Sequence, residues 1–285
     1  MKNIVACIDN SHVAAAVCDA SAWISKQVER PLLLLHVLDK SVYPAKTDLS
    51  GNLGLGARTH LLEELADLDA QRSKLALEQG RLQLEEARKR VEQQGVREVE
   101  TLQRHGHFVE TLADLQQDTR ILVMGRQGED HQAGVREIGS NLETVIRTLG
   151  CRILVTPPDF KTPSKVLLAY DASPTAKKVL QVIASSPLCK GLPFHLLMVG
   201  ERSDKNLLLL EEAREELEAR GHSGVTTALK SGEVEQTLLN HVAEHQLDLI
   251  VMGAYGHSRI RQFLVGSTTT NLLRRSEVPI LLMRQ

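Results

Sequence analysis

Aromatic residues are scarce in this chain. Phe, Trp and Tyr make up 3% of its 285 residues, too few for the stacking surface with which a protein grips single-stranded nucleic acid. Net charge is nearly absent too: 34 Lys and Arg stand against 36 Asp and Glu, for −2 at pH 7. That balance excludes the global basic field of a nucleic-acid binder. The four cysteines, Cys7, Cys18, Cys151 and Cys189, form no CxxC pair, and reduced, buried thiols are the expectation. No apolar run approaches the ~18 residues of a membrane span, and MKNIVACIDN at the start reads as a strand, not a signal peptide. There is no GK[ST] phosphate loop, no GxSxG elbow and no Cys/His pair at a motif spacing. A soluble cytoplasmic protein is expected, without nucleic-acid or membrane partners and without a catalytic constellation.

What the chain does have is an internal repeat, which sets the domain count. IVACIDNSHVAAAV from Ile4 matches VLLAYDASPTAKKV from Val166, aligning Asp9 with Asp171 and Ser11 with Ser173. EEARKRVEQQG ending at Gly95 matches EEAREELEARG ending at Gly221, and ILVMGRQG ending at Gly128 matches LIVMGAYG ending at Gly256. IGSNLETVIRTLGCRILVTP and VGSTTTNLLRRSEVPILLMR complete the series in the same order. The pattern predicts a domain at 1–157, a proline-bracketed linker at 158–163 that acts as a stiff spacer, and a domain at 164–285. Short apolar runs alternate with helical segments in each copy, and runs such as Leu32 to Leu35 fit strands buried on both faces. The fold expected is α/β, two tandem doubly wound domains, each with a five-stranded parallel sheet. Ligands of such sheets sit beyond the C-terminal strand ends, where Asp171, Val199 and Gly253 are predicted to fall.

The stretch from Leu249 to Thr268, LIVMGAYGHSRIRQFLVGST, reads as a buried strand, a glycine-punctuated loop and a helix start. Two residues separate Gly253 from Gly256, and nine separate Gly256 from Gly266 and Ser267. Glycines let the main chain approach an anion, and N–H groups at a helix start point toward it. Ser267 can add a donor or cap the helix. Arg259 and Arg261 lie in the loop, which holds no acid; they serve either as phosphate contacts or as solvated charges. Asp171 and Ser173 are likewise readable as ligand groups or as the turn and cap of a helix.

This spacing resembles the nucleotide-binding signature of the universal stress protein family. KVLLAYDASPTAKKVL, from Lys165, resembles the family's first strand, aspartate and first helix, and VPILLM, from Val278, its closing strand. The resemblance implies an adenine-nucleotide α-hydrolase-like fold. It also implies ATP, with Mg2+, held by Asp171, Ser173, Val199, Gly253, Gly256, Arg259, Gly266, Ser267 and Thr268. Val199 is the implied adenine contact, through its backbone. The activity implied is regulatory, in the stress response, with at most slow ATP hydrolysis and an unidentified protein partner. Closing strands meet in the family, so Ile153–Thr156 would approach Val278–Met283 in an intrachain pseudo-dimer; a homodimer of whole chains is a further expectation.

The copies differ in two ways. In the first, ten residues separate Gly128 from Gly139 and Ser140, one more than in the second, and Glu129, Asp130 and Glu137 enter the loop beside Arg126 and Arg136. Acids repel a triphosphate, so Asp9, Gly125, Gly128, Gly139 and Ser140 read as a degenerate second site. The first copy also carries an expansion: Gly51 to Gly56, read as a hinge, then a helical stretch over 57–94 with Leu61, Leu65, Leu68, Leu75, Leu82 and Val91, broken near Gly80. It reads as a helix packed on the sheet or as a partner-docking arm. Two other functions therefore stay open: a nucleotide-independent adapter using this arm, and an ATP-dependent enzyme of the wider superfamily. His36, His105, His107 and His131 of the first half, with Glu129 and Asp130, offer the donors of a zinc shell at one sheet edge, but they form no compact ligand motif and read as surface residues, so no metal is expected.

Overall fold

The computed structural model describes residues 2–39, 55–128, 138–254 and 267–284. The first half runs β1 (Asn3–Cys7), α1 (Ala14–Val28), β2 (Leu32–Asp39), α2 (Leu55–Gln93), β3 (Val99–Gly106), α3 (Phe108–Leu115), β4 (Thr119–Gly125), α4 (Ser140–Thr148) and β5 (Arg152–Thr156). The second runs β6 (Val166–Ala169), α5 (Pro174–Ala184), β7 (Phe194–Val199), α6 (Asp204–Ala219), β8 (Val225–Lys230), α7 (Val234–His245), β9 (Leu249–Gly253), α8 (Ser267–Arg275) and β10 (Ile280–Met283). Strand order in the first half is β3-β2-β1-β4-β5, all parallel, and the second repeats it as β8-β7-β6-β9-β10.

The two parallel sheets are joined. β5 and β10 pair antiparallel, with Leu281 opposite Leu154 and Ile280 opposite Val155, so all ten strands form one sheet. The expected meeting of the closing strands is thus present. Strands buried on both faces explain the near-continuous apolar runs. Alternate residues feed two cores: Ile4, Leu34, Val123, Leu168 and Val251 face α1, α2, α5 and α6, whereas Val5, Leu35, Leu122, Leu167 and Ile250 face α3, α4, α7 and α8. Each core crosses the β5–β10 join.

Two sequence expectations need correction. Residues 158–163 are not merely a spacer, because Phe160 packs against the first core, its ring 6.1 Å from that of Trp23. Nor does the long helix break at Gly80, which lies inside the 39-residue α2. A Cβ there would stand 2.5 Å from the His36 ring and 2.4 Å from Gln103 Nε2. Glycine lets the helix cross β2 and β3 closely at that point. From Gly80 to Val91 the helix is seated, with Leu84, Ala87 and Val91 buried and Arg90 gripping Asp19 of α1 at 2.7 Å. From 64 to 79 it is almost wholly exposed. Packing on the sheet therefore describes only its C-terminal part. Gly51–Gly54 lie outside the described residues.

Candidate functional site

The C-terminal strand ends of the second half form one edge. β6 stops at Ala169, opposite Leu197, while β7 continues to Val199, whose outer neighbour is Lys230 of β8. β9 ends at Gly253. Two residues beyond β6, the exposed Asp171 turns the chain: its Oδ1 accepts the Ser173 N–H at 2.9 Å. Ser173 Oγ in turn accepts the Ala176 N–H at 3.1 Å and caps α5, with Pro174 in the first helical position. Between them Ala172 sits at φ 56°, a left-handed conformation that costs a residue with a Cβ about 1–2 kcal/mol. A strained residue flanked by two candidate ligand groups is the kind of outlier that marks functional sites.

Gly253 has a packing reason of its own. A Cβ there would lie 2.8 Å from Thr175 Cγ2 in the first turn of α5, so the glycine admits that buried threonine to the strand end. α8 begins at Ser267, and Thr268 is half-buried in its first turn. Gly256, Arg259 and Gly266, with His257 and Arg261, lie outside the described residues.

The first-half residues read as a degenerate site lie close together. Asp9 Oδ1 accepts the Ser11 N–H at 3.1 Å and also its hydroxyl. A Cβ on Gly128 would lie 3.5 Å from Asp9 Oδ2, and one on Gly139 would lie 3.5 Å from the Gly128 nitrogen. Gly139 N–H donates to the Arg126 carbonyl at 3.0 Å, closing the loop on itself before Ser140 opens α4. Gly125 faces Val13, whose Cγ2 would be 2.3 Å from a Cβ. The Arg126 side chain reaches into the other half: Nη1 donates to the Ser276 carbonyl at 2.7 Å, and Arg274 O lies 3.4 Å away, at the C-terminus of α8. A cation there satisfies late carbonyls and opposes the helix dipole. Arg284 returns the arrangement, donating to Leu149 O at 3.1 Å and to Arg147 O at the end of α4.

Among the described residues, the first-half histidines do not gather at one edge. His36 does not end its strand; β2 continues to Asp39, and His36 is buried beneath α2 at Gly80. His105 lies within β3 and His107 at the start of α3, both exposed. His131 is outside the described residues. Among the described residues, the group of three His, Cys, Asp or Glu side chains close enough to share an ion is instead His195, His241 and His245. Sequence reading passed over it, although His241 and His245 stand i,i+4 on one helix face, a legible ligand spacing. The four cysteines are unpaired, and burial first of all raises every thiol, Cys151 to about 11 and Cys18 and Cys189 to about 12. None is poised as a nucleophile.

Fold and edge geometry define a tandem α/β protein of the doubly wound class, two like halves fused through their last strands. Comparison with known proteins specifies it. The profile of the Universal stress protein family matches residues 1–157 and 194–284. Universal stress protein Slr1230 of Synechocystis sp. is 34% identical over 288 aligned positions, covering all of both chains. The crystal structure of a universal stress protein from Archaeoglobus fulgidus superposes with TM-score 0.73 over 99% of this chain and 98% of that one, at 20% identity. A functionally unknown protein from Pseudomonas aeruginosa, PA1789, gives 0.62 over 100% and 92%, at 14% identity, a likeness of fold. The chain belongs to the universal stress protein family, as a tandem member. Among the described residues, no helix is long and apolar enough to cross a membrane.

Proposed function

We propose that this chain is a cytoplasmic, ATP-binding regulator of the stress response. It would hold one Mg2+-ATP in a second domain at 164–285, joined through 158–163 to a first domain at 1–157 whose own site has been diverted. The observation that carries the reading is the strained Asp171–Ala172–Ser173 turn, set on the sheet edge where β7 and β9 also end. The donor set suits a nucleotide. An exposed carboxylate can accept from ribose hydroxyls, the backbone at Val199 can meet adenine, and the start of the nine-residue α8, with Ser267 and Thr268, favours phosphate. Gly256, Arg259 and Gly266 complete the site in this reading. In this reading hydrolysis is at most slow.

The diversion of the first site has its own support. One cation of that loop, Arg126, is engaged with the second half's backbone, and Glu129, Asp130 and Glu137 add repulsion. A second reading, docking of a protein partner, is favoured by one observation. Leu68, Leu75 and Leu82 of α2 are 49%, 71% and 47% exposed. Leu75 and Leu82 stand nine residues from the buried Leu84 and Val91, about 180° around the helix and so on the side away from the sheet.

Calorimetric titration of Mg2+-ATP into nucleotide-stripped protein tests the proposal. One site per chain is expected, lost in Gly256→Trp and kept in Gly128→Trp. Absence of binding by the wild-type chain would transfer the case to the docking reading of α2.

A further inference from the structure

We infer that His195, His241 and His245 form a site for one divalent transition ion of borderline softness, Zn2+ above all, at the sheet edge opposite to the nucleotide residues. His195 is the second residue of β7, and its neighbours Leu167 and Thr226 lie near the starts of their own strands. α7 runs back from β8 to β9, so its last turn, with His241 and His245, arrives at that same N-terminal edge.

The distances favour an ion. His195 Nδ1 and His241 Nε2 are 3.3 Å apart, which matches the separation of about 3.3 Å between two nitrogens held tetrahedrally at the usual Zn–N length. The ligand atoms of all three residues lie within 4.8 Å of one another, and His245, half-exposed at the helix end, has room to close the remaining gap. The ring centroids stand 5.4 Å (His195–His241), 4.7 Å (His195–His245) and 4.2 Å (His241–His245) apart. Three imidazoles so gathered leave a fourth position for water.

Burial and charge point the same way. His241 is 2% exposed, and its Nε2 is turned toward His195 Nδ1. Glu244 Oε1 lies 3.9 Å from His245 Nε2, placed to become the outer carboxylate that orients a ligating histidine. Its other oxygen pairs with Lys230 Nζ at 2.7 Å, so the nearest cation is compensated. Lys165 is occupied at the His245 carbonyl, 3.4 Å away. The site also lies at a helix C-terminus, where the dipole favours positive charge.

The test uses the full-length chain freed of metal by chelation, titrated with Zn2+ in the presence of excess Mg2+. The visible spectrum with Co2+ reports coordination geometry. One Zn2+ per chain and a tetrahedral Co2+ spectrum are expected, and Zn2+ should raise the melting temperature. His245→Gln and His195→Gln, both at half-exposed positions that the fold tolerates, should each weaken Zn2+ by more than the roughly 10–100-fold that loss of an outer partner costs. The double variant His105→Gln/His107→Gln should change nothing, and Gly256→Trp should keep the metal, which separates this site from the nucleotide reading. No Zn2+ uptake, or uptake untouched by both His195→Gln and His245→Gln, would overturn the assignment.

Discussion

The two halves of the molecule share a strand order and a pair of faces, yet they treat equivalent positions differently. After β6 the second half opens its first helix with a serine cap at Ser173 and a strained Ala172, leaving Asp171 exposed. After β1 the first half opens α1 at Val13, with no side-chain cap, while Asp9 and Ser11 bond each other beside Gly128. After β9 the chain continues with Ala254; after β4 the same place holds Arg126, which reaches across to α8. Between the second and third strands of each half, α2 has 39 residues where α6 has 16. One copy thus leaves a carboxylate exposed just beyond its first strand. The other uses that edge for internal contacts and presents a long helix. Duplication lets one fold put the same position to different uses in its two copies.

The largest effect expected lies within α2. Leu84→Ala removes a side chain 5% exposed on the first core and should destabilise by about 2–5 kcal/mol in urea unfolding. Leu75→Ala, at 71% exposure, should stay within about 0.5 kcal/mol. Equal effects would erase the division between a seated and a projecting part of the helix.

Next come the strand-end glycines. Gly125→Ala places a Cβ 2.3 Å from Val13 Cγ2 and 3.0 Å from the Gln127 carbonyl; Gly253→Ala meets Thr175 Cγ2 at 2.8 Å. Overpacking of this kind costs about 1–3 kcal/mol, and thermal unfolding should show Gly125→Ala as the more damaging. The reverse order would mean that the edge of the first half is the more yielding.

The smallest effect separates the two serines. Ser173→Ala loses a helix cap and should cost about 1 kcal/mol. Ser11 only bridges to Asp9 and caps no helix, so Ser11→Ala should cost less. Parallel melts of the two variants check this, and indistinguishable losses would remove the asymmetry in how the first helices are begun.

Much of this was legible in the linear chain because its physical cause is local or periodic. Strands buried on both faces must read as apolar runs, so the elements, their order and the duplication could be recovered from Leu32–Leu35 or Leu249–Met252. Val199 and Gly253 end their strands for the same reason, while Asp171 stands two residues beyond the end of β6. Gly80 was misjudged because a glycine within a helix has one local meaning, a break, and another set by what crosses it, here His36 and Gln103. His36 was misplaced because strand length beyond the core depends on the neighbouring strand, and β3 pairs with β2 as far as Asp39.

By itself, then, the amino-acid sequence determined the α/β alternation, the two copies, the family and the candidate nucleotide residues, since periodicity, glycine spacing and side-chain charge act over a few residues. Only the tertiary structure decided that ten strands make one sheet, that Arg126 and Arg284 cap helices across the join, and that His195 meets His241 and His245. Those contacts join residues far apart in the chain, and no local rule chooses among the partners that a folded core can bring together.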